Sequence, residues 1–230
     1  MCDSNRTTFS KRQCSIEDTR ERSYRIKNLL KELPTYEILF KRDVNCIEDN
    51  LCMRCGKKES ETWDHMWICE DNEATLDKIA RESIRKFEEY LKDNDRIEDI
   101  SILRDHNVNI ITILEEPSNI LLRKCRIWEI LRGVFINDRF NKLTNIKGER
   151  YIIKECWNFI YNEFKNRIWQ PRCDEIARLE QIIGIQKQDL KRKRKQELNE
   201  EEDITRDRLI GSITDGINIE YIWDLTTKTF

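Results

Sequence analysis

Nowhere does this 230-residue chain carry an apolar run approaching the roughly 20 residues that a membrane-spanning helix needs. That excludes a transmembrane segment from the sequence as read. No apolar stretch follows Met1 to Arg6, so the N-terminus does not read as a secretion signal. Catalytic signatures are missing as well. There is no Gly-rich phosphate loop, no His-Glu-x-x-His and no G-x-S-x-G elbow. One Glu-x-Lys triplet occurs, Glu163-Phe164-Lys165, without a Pro-Asp upstream. It sits on an amphipathic stripe and reads as an ordinary ion-pair face. No carboxylate set for Mg²⁺ can be assembled, and the chain is expected not to be an enzyme. Apolar bulk is scarce too: 38% hydrophobic against 37% charged, with a mean hydropathy of −0.76, is too polar for one thick core. It suits slender amphipathic helices with wide wet faces.

Cysteine, by contrast, is plentiful. Nine cysteines without a secretion signal imply a reducing compartment, where thiols serve packing or metal binding rather than bridges. The expected location is intracellular, nuclear or cytoplasmic. The net charge of −2 averages two opposite halves. Between Glu70 and Glu116 fourteen acids face seven Lys and Arg, whereas residues 123–194 are basic. A uniform nucleic-acid coat is therefore not expected, though a local basic surface is compatible with this pattern.

Residues 1–14 read as a polar arm. Ser15 can cap a first helix ended by Pro34, and Thr35 can cap a short one over 36–42. Helical spacing continues over 74–92 (Leu76, Ile79, Ala80, Ile84, Phe87, Leu91). Two shorter segments, 96–104 and 108–114, are parted by Asn107. Pro117 and Ser118 open a helix striped by Leu121, Cys125, Trp128, Leu131 and Phe135. Another runs over 149–169 until Pro171 breaks it, with a last one from Cys173. Residues 187–207 read as a charged linker. Residues 208–230, around Asp215-Gly216, suggest a small β-hairpin. The fold class expected is all-α: a helical bundle (71–186) with an inserted Cys3His zinc knuckle, within 15–70, and a small C-terminal β-hairpin.

Cys52-Met53-Arg54-Cys55-Gly56 can turn two thiolates toward one ion, and Gly56 permits the left-handed backbone that such turns often use. Ten residues on, His65 and Cys69 are four apart and share one helix face. The expected metal ligands are Cys52, Cys55, His65 and Cys69, around zinc. A closed four-ligand set holds structure and leaves no position for a reacting water. Cys46 is an alternative ligand, though its distance from Cys52 suits a knuckle poorly. Cys125, Cys156 and Cys173 fall in or beside apolar stripes and read as core. His106 has no partner and reads as a surface residue. Glu61, one turn before His65, is the candidate acceptor for its second ring nitrogen. Trp63 and Trp67 are expected to pack the knuckle onto helices rather than stack on bases. The surrounding Lys41, Arg42, Arg54, Lys57 and Lys58 are the natural phosphate contacts.

Leu33-Pro34-Thr35, then the short helix ending at Lys41-Arg42, then C-x-x-C-G, then Glu61-Thr62-x-x-His65-x-x-x-Cys69, resembles the zinc-binding region that follows the reverse transcriptase of non-LTR (LINE-like) retroelements. The match covers residues 33–70. It implies the same four ligands, a helical surround and engagement of RNA or DNA. Arg167-Ile168-Trp169-Gln170-Pro171-Arg172-Cys173 is similar to retroelement-derived multigene families of fungi. Polymerase and ribonuclease H have no room here, so the resemblance implies a freestanding, retroelement-derived binding module. The alternative is a protein-interaction module that docks through its acidic helix. Lys191-Arg192-Lys193-Arg194-Lys195 reads either as a nuclear import or phosphate-contact patch or as solvated linker, with acids directly after it.

Overall fold

The computed structural model describes residues 15–134, 143–186 and 188–190, which are mostly helical and contain no sheet. The N-terminal arm, the 191–195 basic run and the expected hairpin lie outside the described residues, as does most of the linker.

Helix α1 (Ile16–Leu29) begins where Ser15 Oγ accepts from the Asp18 N–H at 3.0 Å, the cap its sequence predicts. It ends well before Pro34, as Lys31 turns left-handed at φ 56°. Helix α2 (Tyr36–Lys41) also forms where expected, but by another cap. Thr35 is fully buried, its side chain accepts no capping hydrogen bond, and its hydroxyl has no partner among the described residues. The Tyr36 N–H donates instead to Glu61 Oε2 at 2.8 Å.

Helix α3 (Trp63–Ile68) follows the cysteine-rich loop, and Thr62 Oγ1 caps it by accepting from the His65 N–H. Helix α4 (Leu76–Asp93) buries the stripe Ile79, Ala80, Ile84, Phe87 and Leu91. The expected break at Asn107 is absent, and α5 runs unbroken over Ile97–Glu115. Asparagine is only mildly unfavourable inside a helix, and the buried series Ile100, Leu103, Ile110, Ile113, Leu114 continues across it.

The helix expected from Pro117 does not form there. Ser118 Oγ accepts from the N–H groups of Ile120 and Leu121, its own N–H donates to the Lys124 carbonyl, and Arg123 is left-handed at φ 58°. These local bonds compete with helix. Among the described residues of this stretch only Ile127–Arg132 is helical (α6), stopped by Gly133 at φ 69°. Helix α7 covers Lys147–Phe164. Pro171 does not break the chain after it. A π-helical turn, Lys165–Trp169, passes directly into α8 (Gln170–Ile182). Proline lacks an N–H and its ring crowds the carbonyl four residues back; a wider turn there relieves both faults.

Helices α4, α5 and α7 pack on one another, and α3 packs on the π turn. Trp63, Met66 and Trp67 of α3 share one buried cluster with Phe87, Trp157, Ile160 and Phe164 of the bundle. Cys156 is buried there, with Cys125 and Cys173 packed against it. His106 is not a free surface residue, since its Nε2 lies 3.5 Å from Glu149 Oε2.

Buried polar groups fix how the pieces meet. Asn28 Nδ2 donates to the Leu131 carbonyl at 2.6 Å while its Oδ1 accepts from Trp63 Nε1 at 2.9 Å, which ties α1, α6 and α3 together. Glu61 is 0% and Arg172 3% exposed. Arg172 Nε donates to Glu61 Oε1 at 3.0 Å and its Nη2 to Oε2 at 2.5 Å. Removing one partner of such a pair strands a charge away from water. Glu61→Ala and Arg172→Ala are each expected to cost about 3–5 kcal/mol in urea unfolding, and the double change Glu61→Leu/Arg172→Met much less than the two singles combined.

Candidate metal centre

Each ligand position has a local cause. Residues 50–61 form a narrow loop closed by an isolated antiparallel bridge between Leu51 and Ser60, with the Cys52 N–H donating to the Glu59 carbonyl at 2.8 Å. This brings Cys52 and Cys55 to one side. The left-handed residue of the loop is Lys58 (φ 54°), not Gly56 as expected. On the other side α3 carries His65, and Cys69 sits just past its end with extended backbone (φ −54°, ψ 134°). Trp63 and Trp67, 3% and 2% exposed, anchor that helix in the core and offer no ring face to a base.

The four donor atoms of Cys52, Cys55, His65 and Cys69 all lie within 4.8 Å of one another. Cys52 Sγ is 3.9 Å from Cys69 Sγ, and Cys55 Sγ is 3.4 Å from His65 Nε2. A tetrahedral ion with metal–sulfur bonds of about 2.3 Å and a metal–nitrogen bond of about 2.0 Å requires edges of about 3.8 Å (S···S) and about 3.5 Å (S···N). The two measured edges match that geometry. The cluster can hold a metal ion, and three soft thiolates with one imidazole suit a thiophilic divalent ion. Cys46 is exposed and stands outside the cluster.

Electrostatics set a cost against ion binding. Burial pushes the Cys69 thiol up to about 12 and also raises Cys52, so without a metal these sulfurs keep their protons at neutral pH. Arg54 works against this at Cys69 without outweighing desolvation. The thiol cluster makes its own small buried group apart from the main core, and the loop's apolar hold is Met53 packed against the small cluster of Tyr36, Val44, Ile47 and Ile176.

The residue beside His65 Nδ1 is Glu59, whose Oε2 is 3.2 Å away. Glu61 points the other way, to Arg172 and the Tyr36 N–H. Both carboxylates lie close to His65 in sequence, and only the loop's bend decides which one faces it. With Nδ1–H donating to Glu59, Nε2 is left free to face the ion.

The expected phosphate contacts are mostly engaged within the chain. Lys41 pairs with Glu37 at 2.9 Å, Lys57 with Glu70 at 2.8 Å, and Arg42 with Glu32. Arg54 Nη1 donates to Asn72 Oδ1 at 3.0 Å. Lys58 is exposed at the tip of the loop. The Glu163 and Lys165 carboxylate and ammonium pair with Lys86 and Glu21, the ion-pair reading of that triplet.

No protein-family profile, no curated protein and no solved structure matches this chain.

Metal binding here must displace protons from Cys52 and Cys69, because burial favours their neutral form. Affinity is therefore expected to weaken as pH falls, with proton release measurable as a buffer-dependent heat in calorimetry. Glu59→Ala should lower metal affinity about tenfold to hundredfold in chelator competition, while Glu61→Ala acts on folding stability instead.

Proposed function

We propose that this chain is a non-catalytic, zinc-stabilised nucleic-acid-binding module of retroelement origin. The observation that carries the reading is the closed Cys3His cluster at the ligand spacing of the retroelement zinc-binding region, with all four donors within 4.8 Å. Zinc fits best among thiophilic divalent ions, since it is content with a tetrahedron of sulfur and nitrogen and needs no open position. Its role is to add to the ties that order the loop.

Backbone phosphates are the expected ligands of the surrounding cations. The ion pairs that hold Lys41, Arg42 and Lys57 are surface pairs, each worth about 0–1 kcal/mol, so a polyanion can displace their carboxylates. A cleft of about 280 Å³ between the end of α1, α2 and α3 adjoins this surface; Lys31 and Lys41 line it together with Glu32, Glu37 and Asp64, so it is not itself a basic site. Docking of a protein through the acidic helix has less behind it. Three of the five acids of α4 are engaged with cations from α4, α5 and the π turn: Asp77 with Arg81, Glu82 with Arg167, Glu88 with Arg104 and Lys92.

Metal analysis of the purified chain is expected to return one zinc per chain. Electrophoretic shifts with RNA and DNA should require that zinc and weaken steeply with salt. Four phosphate contacts would lose about a hundredfold in affinity from about 50 to about 200 mM salt. Absence of any shift at low ionic strength would rule out the nucleic-acid reading.

A further inference from the structure

The middle of the C-x-x-C turn carries a cation that is turned inward. Arg54 Nη1 donates to Asn72 Oδ1 at 3.0 Å, while its Nε and Nη2 are shielded from solvent and have no partner among the described residues. Asn72 donates from Nδ2 to the carbonyls of Met66 and Trp67 at 3.1 and 3.2 Å, and its backbone N–H donates to the Cys69 carbonyl at 3.0 Å. One short bridge thus fastens the turn that bears Cys52 and Cys55 to the helix end that bears His65 and Cys69.

Buried guanidinium N–H groups without acceptors are costly, and they call for negative charge close by. The carboxylate of Glu175 feels Arg54 only at a distance: it accepts from Arg178, at 2.8 and 2.7 Å, and makes no hydrogen bond to Arg54 Nε or Nη2. Three thiolates and a neutral imidazole around a divalent ion leave the centre with one excess negative charge. The neighbouring loop cations make no hydrogen bond to it, although Lys57 is within electrostatic reach of Cys55. Lys57 reaches outward to Glu70 and Lys58 is exposed.

We infer that Arg54 is a positioning residue of the metal centre, offsetting the excess charge of a three-thiolate site and bridging its two halves, rather than a contact for phosphate. The inference rests on the metal-binding reading above.

Cobalt(II) titrated into the reduced full-length chain provides the test, since thiolate-to-metal charge transfer and the tetrahedral visible bands report the ligands directly. Arg54→Gln removes the charge while keeping an amide that can donate to Asn72. It should fold with the same far-ultraviolet dichroism, shift the charge-transfer band, and give up cobalt to a chelator about tenfold to hundredfold more readily. Arg54→Lys restores the charge and should recover most of the retention. An Arg54→Gln protein with unchanged bands and unchanged cobalt release would overturn the inference. So would an Arg54→Lys protein that releases cobalt about tenfold to hundredfold more readily than the wild-type chain, a measurement that stands even if the glutamine variant proves unstable. A wild-type chain that takes up no cobalt or zinc overturns the metal reading itself, and this inference with it.

Discussion

A carboxylate withdrawn completely from water must find its donors inside the protein, and Glu61 finds them on two distant segments. Arg172 meets both of its oxygens with a two-pronged fork, and the Tyr36 N–H takes a further place on Oε2. One side chain thereby sets the start of α2, the exit of the cysteine loop and the position of α8. Tyr36 returns the connection, its hydroxyl donating to Glu180 Oε1 one end further along α8 at 3.1 Å. The ligand loop hangs from this anchor. Its cysteines form a cluster of their own, tied by polar contacts at either end and by Met53 on a small apolar cluster, and an ion held there would add to these ties.

The same economy of apolar surface explains how so charged a chain folds. Its acidic middle and basic later part look in sequence like separate halves. In space they lie across from one another. Arg167 of the later part holds Glu82 and Glu73 of the acidic one, while Arg96 with Glu155 and Lys86 with Glu163 bridge the two with the charges reversed. Exposed pairs of this kind contribute about 0.2–1 kcal/mol each, so they set helix registry more than total stability.

The long α7–α8 element shows how a local rule yields to packing. Pro171 lies where a straight helix would be interrupted, yet Phe164, Ile168, Trp169 and Ile176 all point into buried clusters on both sides of it. The π turn keeps that apolar line continuous and lets the proline sit in the first turn of α8, where no N–H is needed. It also delivers Arg172 to Glu61.

Much of this was legible in the residues alone. The four ligand positions, the Ser15 cap, the α4 stripe and the burial of Trp63 and Trp67 follow from spacing and side-chain chemistry, which act over a few residues and leave a pattern. Other features depend on groups far apart in the chain, and no local pattern encodes them. That Glu61 rather than Thr35 caps α2, that Glu59 rather than Glu61 faces His65, and that Arg54 turns inward were decided by the bend of a twelve-residue loop and the arrival of α8. Periodicity also failed at residues 117–126, where serine hydroxyl bonds outcompeted a helix the apolar spacing allowed. Sequence thus determined which atoms could bind a metal and where most helices lie. Tertiary structure alone decided which charges were left for anything outside, because a buried ionic group takes its partner from whatever the fold brings within hydrogen-bond reach.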